Sequence, residues 1–321
     1  MDVRQLRALV TVAEVGSVTR AAELLHLVQP AVTRHIRSLE EELGVALFER
    51  SRQGMRPTDA GLVMVDRARR ALTELERARA EVQPTPGAVT GIVTVGLLES
   101  AVDLLAEPLV SALAREQPGI ELRLMTAYSG HLQQWLDDGD LDVSLLYNLA
   151  GSPSLNARPL VREQLWVAAP ASDELRADRA VPFGQAAARP LVVPTAGHAL
   201  RTLIDEAAAR AEVRMGIVLQ TNSLRVQKQL VLAGHGWTIL PGVGIAADVT
   251  RGTLSAAPLS EPDVWRSIVL AMPRAGRRPP AVTVVAREVV RQVQAAVREG
   301  RWPSAQLQTS GGGVPGAGEA N

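Results

Sequence analysis

Apolar residues at Leu6, Leu9, Val10 and Ala13 fall at i, i+3, i+4 and i+7, the spacing that lines one face of a helix. Gly16 and Ser17 follow, a helix stop and then an N-cap for a second, shorter helix that buries Val18, Ala21, Ala22 and Leu25. After a short turn at His26-Leu27, a third helix is predicted from about Gln29 to Leu43, with Val32, Ile36, Leu39 and Leu43 inward and Gly44 ending it. Two short extended stretches, Leu47–Arg50 and Met55–Pro57, flank Gly54 and predict a small hairpin or wing. Thr58 then caps a long helix from about Asp59 to Val82, with apolar positions at Leu62, Val65, Ala68, Leu72, Leu75 and Val82. So narrow a seam on a charged helix predicts pairing with a second copy rather than packing on its own domain.

Gln83-Pro84-Thr85-Pro86-Gly87 breaks that helix and reads as a hinge. From Gly91 strands alternate with helices, the texture of an α/β domain. Strands are predicted at Ile92–Leu97, Ile120–Thr126, Leu141–Tyr147, Leu165–Ala169, Leu191–Val193, Ile217–Thr221, Trp237–Leu240 and Ser267–Met272, with a long helix at about Pro280–Glu299. The glycine-rich end from Ser310 to Asn321 reads as disordered.

Composition narrows the function classes. The 321 residues, 46% of them apolar, can fill the cores of two or three domains. No uninterrupted apolar run reaches the roughly eighteen residues of a membrane span, and the N-terminus shows no signal-peptide pattern, so a cytoplasmic protein is expected. Without cysteine there are no disulfides, thiolate metal sites or cysteine nucleophiles, and the five histidines are too scattered for a metal motif. No catalytic residue, metal or cofactor is therefore expected. Formal net charge is zero, so only the local cluster Arg34, Arg37, Arg50, Arg52 and Arg56 suggests a polyanion.

Helix, tight turn and helix form the arrangement whose second helix enters the DNA major groove by its N-terminal end. With Val32, Ile36 and Leu39 inward, Gln29, Pro30, Thr33, Arg34 and Arg37 face outward. Gln and Arg can pair bidentately with adenine and guanine, and Thr can reach a base or a thymine methyl. Arg50 and Arg52 beside the wing would meet phosphate or minor groove. From geometry alone, a three-helix interaction module with a solvated arginine face remains open.

A resemblance decides between them. Ala21-Ala22-Glu23-Leu24-Leu25, Gln29-Pro30-Ala31-Val32-Thr33, Ile36, Leu39-Glu40, Leu43-Gly44, Leu47-Phe48, Arg50 and Thr58-Asp59-Ala60-Gly61 together resemble the N-terminal signature of LysR-type transcriptional regulators. That family usually places serine before the Gln-Pro pair, where this chain has Val28, so the third helix should lack a side-chain cap worth about 1 kcal/mol. Pro118, Gly139-Asp140-Leu141-Asp142 and Leu230–Pro241 resemble the family's effector region, and Leu145–Asn148 with Val193-Pro194-Thr195 resemble its branch of nitrogen-assimilation and cysteine regulators. The resemblance extends to about Glu299.

It implies an α/β fold with an N-terminal all-α winged helix-turn-helix, and an effector region of two α/β lobes like a periplasmic binding protein. The expected division is a DNA-binding domain over 1–58, a linker helix over 59–83, a hinge over 84–90 and an effector domain over 91–300. Within the last, one lobe takes 91–163 and 266–300, the other 164–265; residues 301–321 would be a disordered tail. The implied partners are double-stranded DNA carrying a pseudo-palindrome, a small-molecule effector, further copies in a dimer or tetramer, and RNA polymerase if the regulator activates.

Candidate effector-binding residues are Ser100, Ser129, Thr195, His198 and Asn222, at strand ends and helix starts where backbone N–H groups favour anions. Each of the Ser, Thr and Asn positions is equally an ordinary N-cap. Arg201 is either a carboxylate partner or a surface arginine. Glu99, beside Ser100, would disfavour an anionic effector if it pointed inward. One rival reading is enzymatic: Gly242-Val243-Gly244-Ile245-Ala246-Ala247 fits G-x-G-x-x-A after an apolar strand, as in dinucleotide oxidoreductases. Pro241 at the turn, Gly252 and Pro258 soon after, and the lack of a second βαβ half oppose it. A third reading, a binding protein with no DNA role, is opposed by the N-terminal signature.

Overall fold

A computed structural model describes residues 1–51, 54–82, 89–147, 152–275 and 278–308. The chain divides into two compact units, Met1–Pro86 and Gly87–Asn321.

In the first unit α1 (Val3–Val15), α2 (Val18–Leu24) and α3 (Gln29–Leu43) precede a hairpin of β1 (Phe48–Ser51) and β2 (Gly54–Pro57), and α4 (Asp59–Val82) follows. Local chemistry sets these limits. Asp2 and Gln5 form a capping box on α1, and Gly16 and Gly44 take the left-handed conformation that closes α1 and α3. Leu6, Leu9, Val12, Val32, Ile36 and Leu39 meet in one core with Leu47 and Phe48. Glu40 ties the wing to α3: its carboxylate accepts from Leu47 N at 2.7 Å and Phe48 N at 3.2 Å. Gly61 is a steric requirement, since a Cβ there would lie 2.0 Å from the Leu47 carbonyl oxygen.

The predicted seam on α4 needs correction. Val65 and Ala68 are buried and Leu72 is packed against the same core, so the first half of α4 packs on its own domain. Leu62, Leu75 and Val82 stay exposed. Charged flanking residues misled the sequence reading, because a helix needs only one apolar stripe to dock on α1. Most of the hinge stretch, residues 83–88, lies outside the described residues.

The second unit begins with β3 (Gly91–Leu98), a short 3-10 turn over Glu99–Ala101, α5 (Val102–Glu116), β4 (Ile120–Ala127), α6 (Ser129–Asp137) and β5 (Val143–Tyr147). Then come β6 (Leu155–Pro170), β7 (Val181–Pro182), α7 (Phe183–Ala187), β8 (Pro190–Val193), α8 (Ala199–Arg210), β9 (Gly216–Gln220), α9 (Leu224–Leu232), β10 (Trp237–Pro241) and α10 (Gly242–Thr250). The chain closes with β11 (Leu254–Ser260), β12 (Trp265–Pro273), α11 (Pro280–Arg298) and β13 (Ala305–Leu307).

Strand order is β4-β3-β5-β12-β6-β10-β8-β9. β3 runs parallel to β4 and β5, and β8 runs parallel to β9 and β10. The sixteen-residue β6 joins the two halves: Leu155–Gln164 pairs with β12, and Leu165–Pro170 pairs with β10 and β11. Every position of β5 and β10 is buried, which is why both read as mainly apolar stretches without alternation, interrupted only by the buried Ser144 and Thr238.

Two expectations fail. The first half of β6 escaped the periodicity argument because Arg158, Arg162, Glu163 and Gln164 break any apolar run, and β11 because Ser255, Pro258 and Ser260 do the same there. The end of the chain is not wholly without structure: Trp302 is buried and β13 pairs with β6. The glycine-rich stretch, residues 309–321, lies outside the described residues.

Candidate nucleic-acid interface and ligand cleft

On α3 the buried side is Val32, Ile36 and Leu39, and Gln29, Pro30, Thr33, Arg34 and Arg37 are all exposed on the other. Thr33 Oγ1 donates to Gln29 O at 3.1 Å. Arg37 pairs with Glu41 one turn on, at 3.0 Å, an exposed pair worth well under about 1 kcal/mol and easily exchanged for another anion. Arg34 has no carboxylate partner among the described residues. Val28 is the N-cap of α3 and supplies no side-chain hydrogen bond; Ala31 N donates to Val28 O instead, at 2.9 Å. Arg50 sits on β1 opposite Met55 by its backbone. Its side chain, and all of Arg52, lie outside the described part.

The second unit holds a small cleft, about 30 Å³ in volume and partly open to solvent. Its walls include Ser100 and His198, together with Glu99, Tyr128, Tyr147, Leu224, Gln227, Pro241 and Arg266. Ser129, Thr195 and Asn222 do not line it. Ser129 is buried with its hydroxyl accepting from Tyr147 N at 3.1 Å, Thr195 turns its carbonyl to His198 N, and Asn222 is exposed. Arg201 is engaged by Asp205 at 2.7 Å and by Gln220 and Pro194, so it is an internal tie of its lobe.

Arg266, which sequence reasoning missed, is the cleft's central charge. It is 2% exposed, donates to Ser100 Oγ at 2.8 Å and lies over the Tyr147 ring at 5.0 Å. Glu163 neutralises it from β6 and also accepts from Val243 N, Trp302 Nε1 and Ser304 Oγ at 2.9–3.0 Å. The available signal was an arginine and a glutamate set inside strands whose neighbours are buried. Their partners, Ser100 and Val243, are distant in sequence.

His198 Nδ1 accepts from Leu200 N at 3.1 Å and caps α8. Burial, with Arg266 and His131 nearby, pulls the ring's pKa down to about 4, so it is neutral near pH 7. With Nδ1 accepting, the ring proton sits on Nε2, which is buried without a partner among the described residues; the Tyr128 hydroxyl is in the same state. Burial also raises the Glu99 carboxyl above its usual range, offset in part by the Tyr128 hydroxyl, the Leu224 N–H and the Lys228 charge. Burial first, and the Glu99 charge second, push the Tyr128 hydroxyl pKa up.

The glycine motif at α10 has a packing role. A Cβ on Gly242 would lie 2.5 Å from the Ser304 Cβ, and one on Gly244 would lie 3.3 Å from the Ser100 Cβ. The N-terminus of α10, where a pyrophosphate would sit, already points Val243 N at the Glu163 carboxylate.

Residues 3–62 match the family described as bacterial regulatory helix-turn-helix protein, lysR family, and residues 86–308 match the LysR substrate binding domain. Among curated relatives, the HTH-type transcriptional regulator BbuR of Bordetella bronchiseptica is 31% identical over 303 residues, covering 94% of this chain and 93% of that protein. The nitrogen assimilation regulatory protein nac of Klebsiella aerogenes is 27% identical, covering 89% of this chain and 93% of its own. A full-length OxyR variant from Pseudomonas aeruginosa superposes with a TM-score of 0.65 at 26% identity, over 90% of this chain and 94% of that one.

Proposed function

The chain belongs to the LysR family of DNA-binding transcriptional regulators with a substrate-binding domain and is no enzyme, and on that premise we propose how its residues divide the work. Gln29, Pro30, Thr33 and Arg34 read base edges, with Arg37, Arg50 and Arg52 on phosphate or in the minor groove. The observation that carries this reading is the polar face of α3, wholly exposed while its opposite face is the core of the first unit. Ser100 and His198 contact a small effector in the cleft between the two lobes, with Arg266 added to the set.

Two copies pair through the exposed apolar positions of α4, so two α3 helices address a pseudo-palindrome, and further pairing of effector domains makes a tetramer. Effector acts by binding one arrangement of the lobes more tightly than the other. The protein works in the cytoplasm, and contact with RNA polymerase applies if it activates. Among the described residues no helix is long and apolar enough to cross a membrane.

Selection of binding sites from random duplexes, followed by gel-shift titration of Arg34→Ala, tests the DNA face. The expected loss is about 1–3 kcal/mol at the selected site, with relaxed preference at one base position. Unchanged affinity and preference would remove Arg34 from the reading set.

A further inference from the structure

The cleft offers its ligand donors at one end and one carboxylate, Glu99, near them. His198 Nε2 carries a proton and has no acceptor among the described residues, and the Tyr128 hydroxyl is likewise unpartnered. Ser100 Oγ accepts from Arg266, which leaves its own O–H to donate. An unmet buried donor costs free energy, so a ligand supplying acceptor oxygens there recovers that cost.

Charge then decides which acceptor fits. Of the lining residues only Glu99 and Arg266 are ionisable to a formal charge near neutral pH, since His198 is held neutral. Arg266 is already balanced by the buried Glu163 at 2.6 Å. Glu99, next in the chain to Ser100, forms no ion pair among the described residues; Lys228, the nearest cation acting on it, is itself paired with Asp248 at 2.8 Å. A simple carboxylate would satisfy the donors and be repelled by Glu99. A simple amine would meet Glu99 and leave the donors unpaired. Apolar walls at Leu98, Leu200, Leu224 and Leu240 suit a hydrocarbon body.

We propose that the cleft's ligand is a small zwitterion with an apolar body, an α-amino acid or a near analogue, whose carboxylate accepts from Ser100 and His198 and whose ammonium faces Glu99. The proposal rests on the cleft being the effector site. Glu99 is then the residue that sets charge selectivity.

The test is calorimetric titration of the full-length protein with matched trios: leucine, 4-methylpentanoate and 3-methylbutylamine, and phenylalanine, 3-phenylpropanoate and 2-phenylethylamine. In at least one trio the amino acid should bind tenfold or more tightly than both of its truncated partners. Glu99→Gln should shrink its advantage over the acid by tenfold or more, with circular dichroism showing an unchanged fold. An acid that binds as well as its amino acid, a preference untouched by Glu99→Gln, or no binding by any probe overturns the proposal. Ala127→Trp, which fills the cleft, separates the two levels. Amino-acid binding that survives it places the ligand elsewhere and removes the cleft reading. Acid binding that is lost with it keeps the cleft and removes only the zwitterion.

Discussion

Arg266 of β12 and Glu163 of β6 form an ion pair, Nη2 to Oε2 at 2.6 Å, with both side chains essentially inaccessible to water. Each belongs to a strand at the junction of the two sheet halves, so the pair sits where any relative movement of the lobes would be felt. One side of it reaches Ser100 in the cleft, the other Trp302 and Ser304 at the end of the fold.

Glu163→Gln should therefore be strongly destabilising. Removing one partner leaves Arg266 charged and buried without a counter-charge, at a cost of about 3–5 kcal/mol. Denaturant unfolding should show a lowered midpoint, and the double variant Glu163→Gln with Arg266→Gln should recover part of it. A single variant as stable as the parent would mean that water reaches the pair.

Val28→Ser should supply the missing cap of α3. The serine oxygen would accept from Ala31 N, now served by the Val28 carbonyl alone, and add about 1 kcal/mol of local stability. Slower hydrogen exchange at the Ala31 amide is the readout. Unchanged exchange would show that the first turn of α3 is already held.

Leu75→Glu should weaken self-association without unfolding the first unit, because Leu75 is 44% exposed and stands clear of the core that holds Val65 and Ala68. Sedimentation at micromolar concentration should show monomers; intact dimers would remove this half of α4 from the interface. Leu72 is a poorer probe, since a charge there would also disturb the core.

Acid should cost stability through His198. Its pKa is about 4 in the folded chain and 6.5 when unperturbed. Between those values the unfolded chain binds the proton and the folded chain does not, so stability rises with pH. The contribution is complete above about 6.5 and is lost as pH falls toward 4. His198→Asn, which can still cap α8, should flatten unfolding midpoints across that window. An equally steep profile in the variant would assign the titration to another group.

The elements of the first unit could be read from the chain because each is specified locally: α3 by its stripe of Val32, Ile36 and Leu39, and its stop by Gly44. The same holds for α11, whose predicted limits lie within a residue of those observed. The readings failed where partners are distant. Ser129 has the chemistry of a ligand contact and the position of a helix start, yet the Tyr147 N–H engages its hydroxyl. The α4 stripe was visible, but its partner was not, because a stripe does not name the surface that covers it.

The sequence by itself determined the helix triplet and wing, the α/β texture that follows, which residues face outward on α3, and that Val28 leaves that helix uncapped; that these make a regulator came from the family resemblance of those same positions. Periodicity and cap chemistry act within a few residues, so they survive in one dimension. The cleft was decided only in three dimensions. Arg266 reaches Ser100 across 166 positions of sequence, and Glu163 satisfies donors from both lobes, because buried charges take their partners from whatever the fold brings within hydrogen-bond reach.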